Sequence, residues 1–353
     1  MDFEHPKKSG FDKRTAFLFL ILGLVLLFFG MLDIMSGTVH IPARDILGIL
    51  SGSSPENRVW SSILFEFRIP KTIVAVLAGA ALAVSGLQMQ TVFRNPLAGP
   101  DVLGVTSGAS LGVAIVVMGF GNFFVSRHLG YAGSWMQIIA AWIGAGIVLT
   151  LIMIVSVRVG DIMTILILGI LFGSATSAIV NLMQYFSQQS VLKSFVIWSM
   201  GNLGNLTATQ IKVLAASLLI GFLFTLFTLK MMNAIMLGER YSTSMGINVK
   251  VARTLIFLST SILSGSITAF CGPLAFIGIA VPHLARLIFS TANHFILIPA
   301  SLMLGALLML VADLISQLPG SGVILPVNSV TALLGIPIII WVILYNKRLV
   351  HVN

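Results

Sequence analysis

Long apolar runs alternate with short polar connectors along the whole chain, and each run approaches the roughly 20 residues a helix needs to cross a bilayer. The pattern predicts helices near 16–35, 69–92, 101–119, 134–157, 162–186, 208–231, 251–270, 274–289, 294–317 and 331–346. These ten crossings bring both ends of the chain to one side. No connector is long enough for a separate soluble domain, so residues 1–353 read as a single all-α, polytopic transmembrane domain. Composition agrees: 57% hydrophobic and 9% charged residues, with mean hydropathy +1.04, exclude a soluble globular protein. The first run follows Lys7, Lys8, Lys13 and Arg14 as a signal sequence would, but it exceeds a signal core and no small-residue cleavage site follows. It reads as a retained span behind a short cytoplasmic tail, 1–15. The single Cys271 cannot close an intrachain disulfide.

The net charge of +9 does not gather into one patch, which removes the case for nucleic acid. The cations flank the spans instead. With a cytoplasmic N-terminus the inner face receives Lys7, Lys8, Lys13, Arg14, Arg94, Arg158, Lys230, Arg240, Lys250, Arg253, Arg286, Lys347 and Arg348. The outer face receives only Arg44, Arg58, Arg68, Lys71, Arg127, Lys193 and Lys212. This bias obeys the positive-inside rule and places both termini in the cytoplasm.

Two segments echo each other. "PKTIVAVLAGAALAVSG" (70–86) leads into "NPLAG", and "ARTLIFLSTSILSG" (252–265) leads into "GPLAF". The copies lie five spans apart, so they face opposite ways, and 68–130 and 250–300 form a weak inverted repeat of the kind found in transporters. Within the first copy, Asn95-Pro96 and Gly99-Pro100 predict a break after Arg94, because proline donates no N–H and disfavours helical angles before it. The helix that follows carries Gly104, Gly108 and Gly112 on one face, where another backbone can approach closely. Gly108-Ala109-Ser110-Leu111-Gly112 also matches the Gly-x-Ser-x-Gly hydrolase pattern, but that elbow requires a strand before the serine, and here the serine lies within an apolar helix.

Ion-coupled carriers need ionisable groups inside their spans, and Asp313 is the one acid well within an apolar run, readable as a structural carboxylate or a proton site. A Walker A loop is absent, since no lysine follows a glycine. Energy must come from a partner. The longest inner connector, "NAIMLGERYSTSMGINVKVAR" (233–253), offers Met236, Leu237, Gly238, Glu239, Arg240, Met245 and Gly246, as expected of short surface helices that either receive a partner or lie on the membrane. An ion- or proton-coupled secondary transporter is the alternative.

At four places the chain resembles the FecCD-type permeases, membrane subunits of type II ABC importers for iron-siderophore complexes, haem and cobalamin. They are "RIPKTIVAVLAGAALAVSGLQMQTVFRNPLAGPDVLGVTSGASLG" (68–112), "MLGERYSTSMGI" (236–247), "GPLAFIGIAVPHLARLI" (272–288) and "LPVNSVTALLGIPIIIWVI" (325–343). The resemblance implies a homodimer of ten-span subunits in a bacterial cytoplasmic membrane, with two ATP-binding cassette ATPase subunits below and a substrate-binding protein above. It implies no enzymatic site and no cofactor on this chain; ATP and Mg belong to the ATPase.

Carried onto this sequence, the family's outer docking pair falls on Arg68 and Lys71, and a further outer cation of some relatives falls on Gln317. The inner gate falls on Ile162 and Met163, and the coupling loop on 233–250. The fifth span would line the passage with Gly169, Gly173, Ser174, Ser177 and Asn181, although its glycines also suit close packing. Pro282, His283 and Arg286 of "PHLAR" read as structural, since one histidine without a cluster is weak support for a metal.

Overall fold

The computed structural model describes residues 12–52, 58–119, 130–159, 161–317 and 324–345. Lys7, Lys8, Arg127, Lys347 and Arg348, which contribute to the charge bias, lie outside these residues, as do most of the 1–15 tail and residues 120–129 of the first repeat copy. In chain order the helices are α1 (Lys13–Met35), α2 (Ala43–Leu50), α3 (Arg58–Ser62), α4 (Ile69–Phe93), α5 (Val105–Ala114), α6 (Gly130–Arg158) and α7 (Ile162–Tyr185). They continue with α8 (Gln189–Ser199), α9 (Ala208–Leu237), α10 (Glu239–Ser244), α11 (Val249–Cys271), α12 (Ile277–Phe289), α13 (His294–Ser316) and α14 (Val327–Tyr345). No strand occurs among the described residues. Each predicted apolar run holds helix: among the described residues seven helices are long and apolar enough to span a membrane, and α5, α12 and α14 are the shorter apolar ones.

Polar contacts sort the helix ends into two groups. At one end, here the rim end, Arg68 reaches the carbonyls of Ile34 and Met35, Lys71 pairs with Asp313, and the amide of Asn202 donates to Cys271 O. At the other, the loop end, Arg94 donates to Ile235 O, Asn233 meets Asn293, and Glu239 pairs with Arg253. Thus α4 runs from rim to loop and α11 from loop to rim. Each is followed by a non-helical break, 94–99 or 272–276, and then a short helix segment, so the two helix-break-helix units are antiparallel.

Three short helices, α2, α3 and α8, were not legible as apolar runs. The helix predicted to begin at 69 instead continues from Arg58 through a wide π turn, Ile63–Arg68. Pro70 explains the turn, because it gives no N–H and its ring presses on the carbonyl four residues earlier. Similarly, α9 extends six residues past its predicted end at 231, to Leu237, so Asn233 sits inside a helix rather than in a loop.

α4 is the central post, with most of its length buried. Its glycines face backbone: a Cβ at Gly79 would lie 2.1 Å from Gly305 O of α13, and one at Gly86 would lie 1.7 Å from Gly278 O of α12. The predicted glycine face of α5 is used the same way, since a Cβ at Gly108 would lie 2.6 Å from Gly144 O and one at Gly112 would lie 2.0 Å from Ala140 O. Gly104 starts that helix at φ +69°, a conformation glycine adopts without strain. Ser110 lies within it and donates to Thr106 O, so the hydrolase pattern carries no elbow.

The core also contains a polar knot. Gln88 of α4 donates to the hydroxyls of Thr225 (α9) and Ser259 (α11) at 3.0 and 2.9 Å, and accepts from Thr260 at 2.7 Å. All four side chains are buried. In a bilayer no water can replace these bonds, so they fix the mutual position of three helices.

Gly86→Ala should destabilise the detergent-solubilised protein by about 1–3 kcal/mol through overpacking. Gly146→Ala, where nothing lies within 4 Å of the added carbon, should leave the thermal midpoint unchanged.

Candidate functional site

The loop end carries a projecting knob. α9 stops at Gly238, whose φ of +123° only glycine accepts readily; α10 turns across the end, and Gly246, at φ +81°, leads towards Asn248, which caps α11. The segment read as a coupling loop is therefore one short helix between two glycine joints. Leu237, Tyr241 and Met245 are exposed apolar side chains on this knob, with exposed Arg240 beside them, while Met236 is only half-exposed. Tyr241 was not singled out in the sequence, though its i+4 spacing from Leu237 and Met245 was available. Glu239 does not point freely outward but pairs with Arg253 on the first turns of α11.

α7 is capped at its start by Asp161. Its carboxylate accepts from Met163 N at 3.3 Å, Thr164 N at 2.9 Å and the Thr164 hydroxyl at 2.7 Å, an N-cap that satisfies otherwise unpaired helix amides. These bonds, led by the Thr164 hydroxyl, hold the Asp161 carboxyl below the ordinary range, and the charge of Arg253 adds to the effect. Of the two predicted gate residues, Ile162 packs partly against the core and Met163 is exposed.

α7 is the least covered of the long helices after α1. A shallow, open cavity of about 600 Å³ runs along it, lined by Asp101, Ser107, Gly169, Gly173, Ser174, Ser177 and Asn181 among others. All five residues predicted to line a passage thus share one concave face. Gly169 serves packing as well: a Cβ there would lie 2.2 Å from Val102 O. Ser174 satisfies its hydroxyl on Ile170 O, which leaves a wall that is small, mildly polar and uncharged along α7 itself.

The break at 94–99 is held from behind. Asn95 Oδ1 accepts from Leu97 N, and His283 of α12 donates from Nε2 to Pro96 O at 2.7 Å, which fixes the ring's tautomer. Arg286 donates to Gln90 Oε1 at 2.7 Å, and Pro282 lies within α12. Nearby, His294 links Thr91 and Asn233 at 2.8 and 2.7 Å. Asn233 Oδ1 already accepts from the His294 amide, so it is also the acceptor for Nδ1–H, which leaves Nε2 facing the Thr91 hydroxyl. The last turn of α9 is thereby tied to α4 and α13. No group of three or more His, Cys, Asp or Glu positioned for a metal occurs among the described residues.

At the rim end Arg68 is 7% exposed, with its guanidinium on backbone carbonyls of Ile34, Met35 and Val39. Lys71 lies 2.9 Å from Asp313, which is fully buried. Gln317 donates to Asp313 at 2.9 Å and to Asp33 at 3.3 Å, and Thr72 donates to Asp33 at 2.6 Å. Asp33 escaped notice in the sequence because it sits near the end of the first run, where an acid is unremarkable. Arg68, Lys71, Asp313 and Gln317 line a cavity of about 530 Å³ that also reaches Asn202 and Pro326. Asp313 is thus an ion-paired carboxylate joining α13 to α4.

A model of the FecCD transport family matches residues 24–345. The chain is 33% identical over 336 residues to the hemin transport system permease protein HmuU of Yersinia pestis, covering 95% of this chain and 97% of that one. It is 31% identical over 338 residues to the vitamin B12 import system permease protein BtuC of Salmonella typhi, covering 96% and 98%. Its fold is similar, with TM-score 0.78 and 26% identity over 94% of this chain and 99% of the other, to a solved structure described as an inward-facing ABC transporter of the metal-chelate type.

Lys71→Met should cost about 3 kcal/mol of stability, because it leaves the Asp313 carboxylate buried without its cation. Lys71→Met combined with Asp313→Leu should recover most of that loss, measured as thermal midpoints in detergent.

Proposed function

The chain belongs to the FecCD transport family, and from that premise and the geometry above we propose that it is the permease of an importer for a large metal chelate, haem or corrinoid. Two copies bring their α7 faces together around a passage. The observation that carries the reading is the uncovered α7 wall, where Gly173, Ser174, Ser177 and Asn181 offer small and polar but uncharged contacts. A bulky ligand can slide along such a wall without being held by an ion pair. Selectivity then rests largely with the protein that delivers it.

In this reading the loop end faces the cytoplasm, and a pair of ATP-binding cassette subunits receives the knob formed by Leu237, Arg240, Tyr241 and Met245. Apolar side chains on a short helix between glycine joints suit a socket that must push and turn. ATP and Mg are used by those subunits, and this chain makes and breaks no covalent bond. Ile162 and Met163 form the inner closure. The substrate-binding protein sits on the rim end, where an acidic side chain can draw Lys71 away from Asp313 while Arg68 keeps the rim in shape. Gln317, committed to Asp313 and Asp33, supplies no cation to that contact.

Proteoliposomes holding the permease, its ATPase and its binding protein should accumulate at least one of haemin, cobalamin and a ferric siderophore, and only with ATP inside and binding protein outside. Removing the two joint residues Leu237 and Gly238 should abolish uptake while the ATPase still hydrolyses ATP. Undiminished uptake by that deletion variant would remove the knob from the coupling path.

A further inference from the structure

We propose that Asp101, together with Ser107, Ser177 and Asn181, forms a cargo-contacting subsite in the α7 cavity that takes a chelate bearing N–H donors or positive charge and turns away an anionic one. The proposal rests on the permease reading above and narrows its cargo.

The α7 wall is uncharged, but the turn that faces it is not. Asp101 belongs to the short helical turn Pro100–Leu103 that follows the break after α4. It is the only charged side chain among the described residues that line the cavity, and it is exposed there. Glycines set its depth: a Cβ at Gly169 of α7 would lie 2.2 Å from Val102 O, and one at Gly104 would lie 3.1 Å from Gly169 O. Asp101 therefore stands level with Gly169, seven residues along α7 from Ile162, or roughly 10 Å from the residues read as the gate. The turn is braced on its other side by α12, where a Cβ at Gly278 would lie 2.7 Å from the Pro100 ring.

Hydrogen bonding separates this site from the rest of the helix surface. A hydroxyl within an apolar helix can bond the carbonyl one turn earlier, and Ser110, Ser174 and Thr176 do so. The side chains of Ser107, Ser177 and Asn181 make no such bond among the described residues, although all three line the cavity. Asp101 uses Oδ1 alone, accepting from the Thr106 hydroxyl at 2.6 Å, so Oδ2 is left for whatever enters. Lipid cannot satisfy such groups, whereas water or cargo can.

The chemistry of these groups defines the ligand. Two hydroxyls and an amide both donate and accept, but the carboxylate only accepts and carries charge. With no cation on the cavity wall to offset it, and a second copy contributing its own Asp101, the passage is negative at this depth. Peripheral amides or an ammonium group complement that field, while cargo carboxylates meet like charge. An amide-rich corrinoid or an amine-bearing ferric hydroxamate fits; haem, with two propionates, does not.

The test uses the complete transporter in proteoliposomes, offered haemin, cyanocobalamin or ferrioxamine B, with uptake and ATP hydrolysis measured together. The wild type is expected to accumulate cyanocobalamin or ferrioxamine B and not haemin. For that ligand Asp101→Asn, which keeps an acceptor for Thr106 and loses only the charge, should lower the uptake rate by roughly fivefold or more. Asp101→Glu should retain most of it, and neither variant should alter ATP hydrolysis or the affinity for the binding protein. Accumulation of haemin by the wild type, a wild-type rate for Asp101→Asn, or an Asp101→Glu rate as low as that of Asp101→Asn would each overturn the proposal. If Asp101→Asn fails to assemble, the exposed pair Ser177→Ala with Asn181→Leu takes its place: slowed uptake at unchanged ATP hydrolysis supports the subsite, and a wild-type rate overturns it. A wild type that imports no ligand with ATP sinks the permease reading itself, which normal import with an insensitive Asp101→Asn does not.

Discussion

The structure depends on the backbone contact of α4 with α12 and α13. Where Gly79 meets Gly305 and Gly86 meets Gly278, no side chain separates the helices, and the contact leaves no space for a methyl group. Apolar surface gives little net drive for association between helices already dissolved in lipid, so close packing and buried hydrogen bonds must hold them together. Both are concentrated on α4. Glycines lie along it, Arg68 and Lys71 anchor its rim end, and Gln88, Gln90, Thr91 and Arg94 anchor the other. With that post fixed, α7 and α10 can be the exposed and adjustable parts.

The contrast between post and periphery gives the functional reading its physical basis. Along α4 the buried polar side chains Thr72, Ser85, Gln88, Gln90 and Thr91 all have partners; at α10 the chain has two glycine joints and a row of exposed apolar side chains. At α7 the small residues that would let a neighbouring helix close in face an open cavity. A chain built to bury its own apolar surface would cover both places. In the proposed permease these are the places for other subunits and for cargo.

Much of this was legible in the sequence. Each of the ten apolar runs holds helix, because in lipid a segment must satisfy its backbone internally, and for seven of them length also reports a span among the described residues. Asn95-Pro96 and Gly99-Pro100 marked the break, and the glycine spacing of α5 marked a packing seam, since both depend on local backbone chemistry. The five residues read as a passage wall fall together in the structure because they share one helix face. What could not be read was contact between residues distant in sequence: Asp33 with Thr72 and Gln317, Lys71 with Asp313, and Arg253 with Glu239. The engagement of Arg68 with backbone carbonyls was equally invisible, and it places an exposed-looking cation inside the protein. Short helices such as α8 escaped because they are too short to span and too mixed in composition to stand out.

Hydrogen exchange on the assembled transporter, compared with and without ATP, tests the division into fixed post and moving periphery most directly. Amides of 79–91 in α4 and 298–310 in α13 should remain equally protected in both states, while those of 162–168 and 239–248 change. Altered protection along α4 with an unchanged α10 would contradict the account.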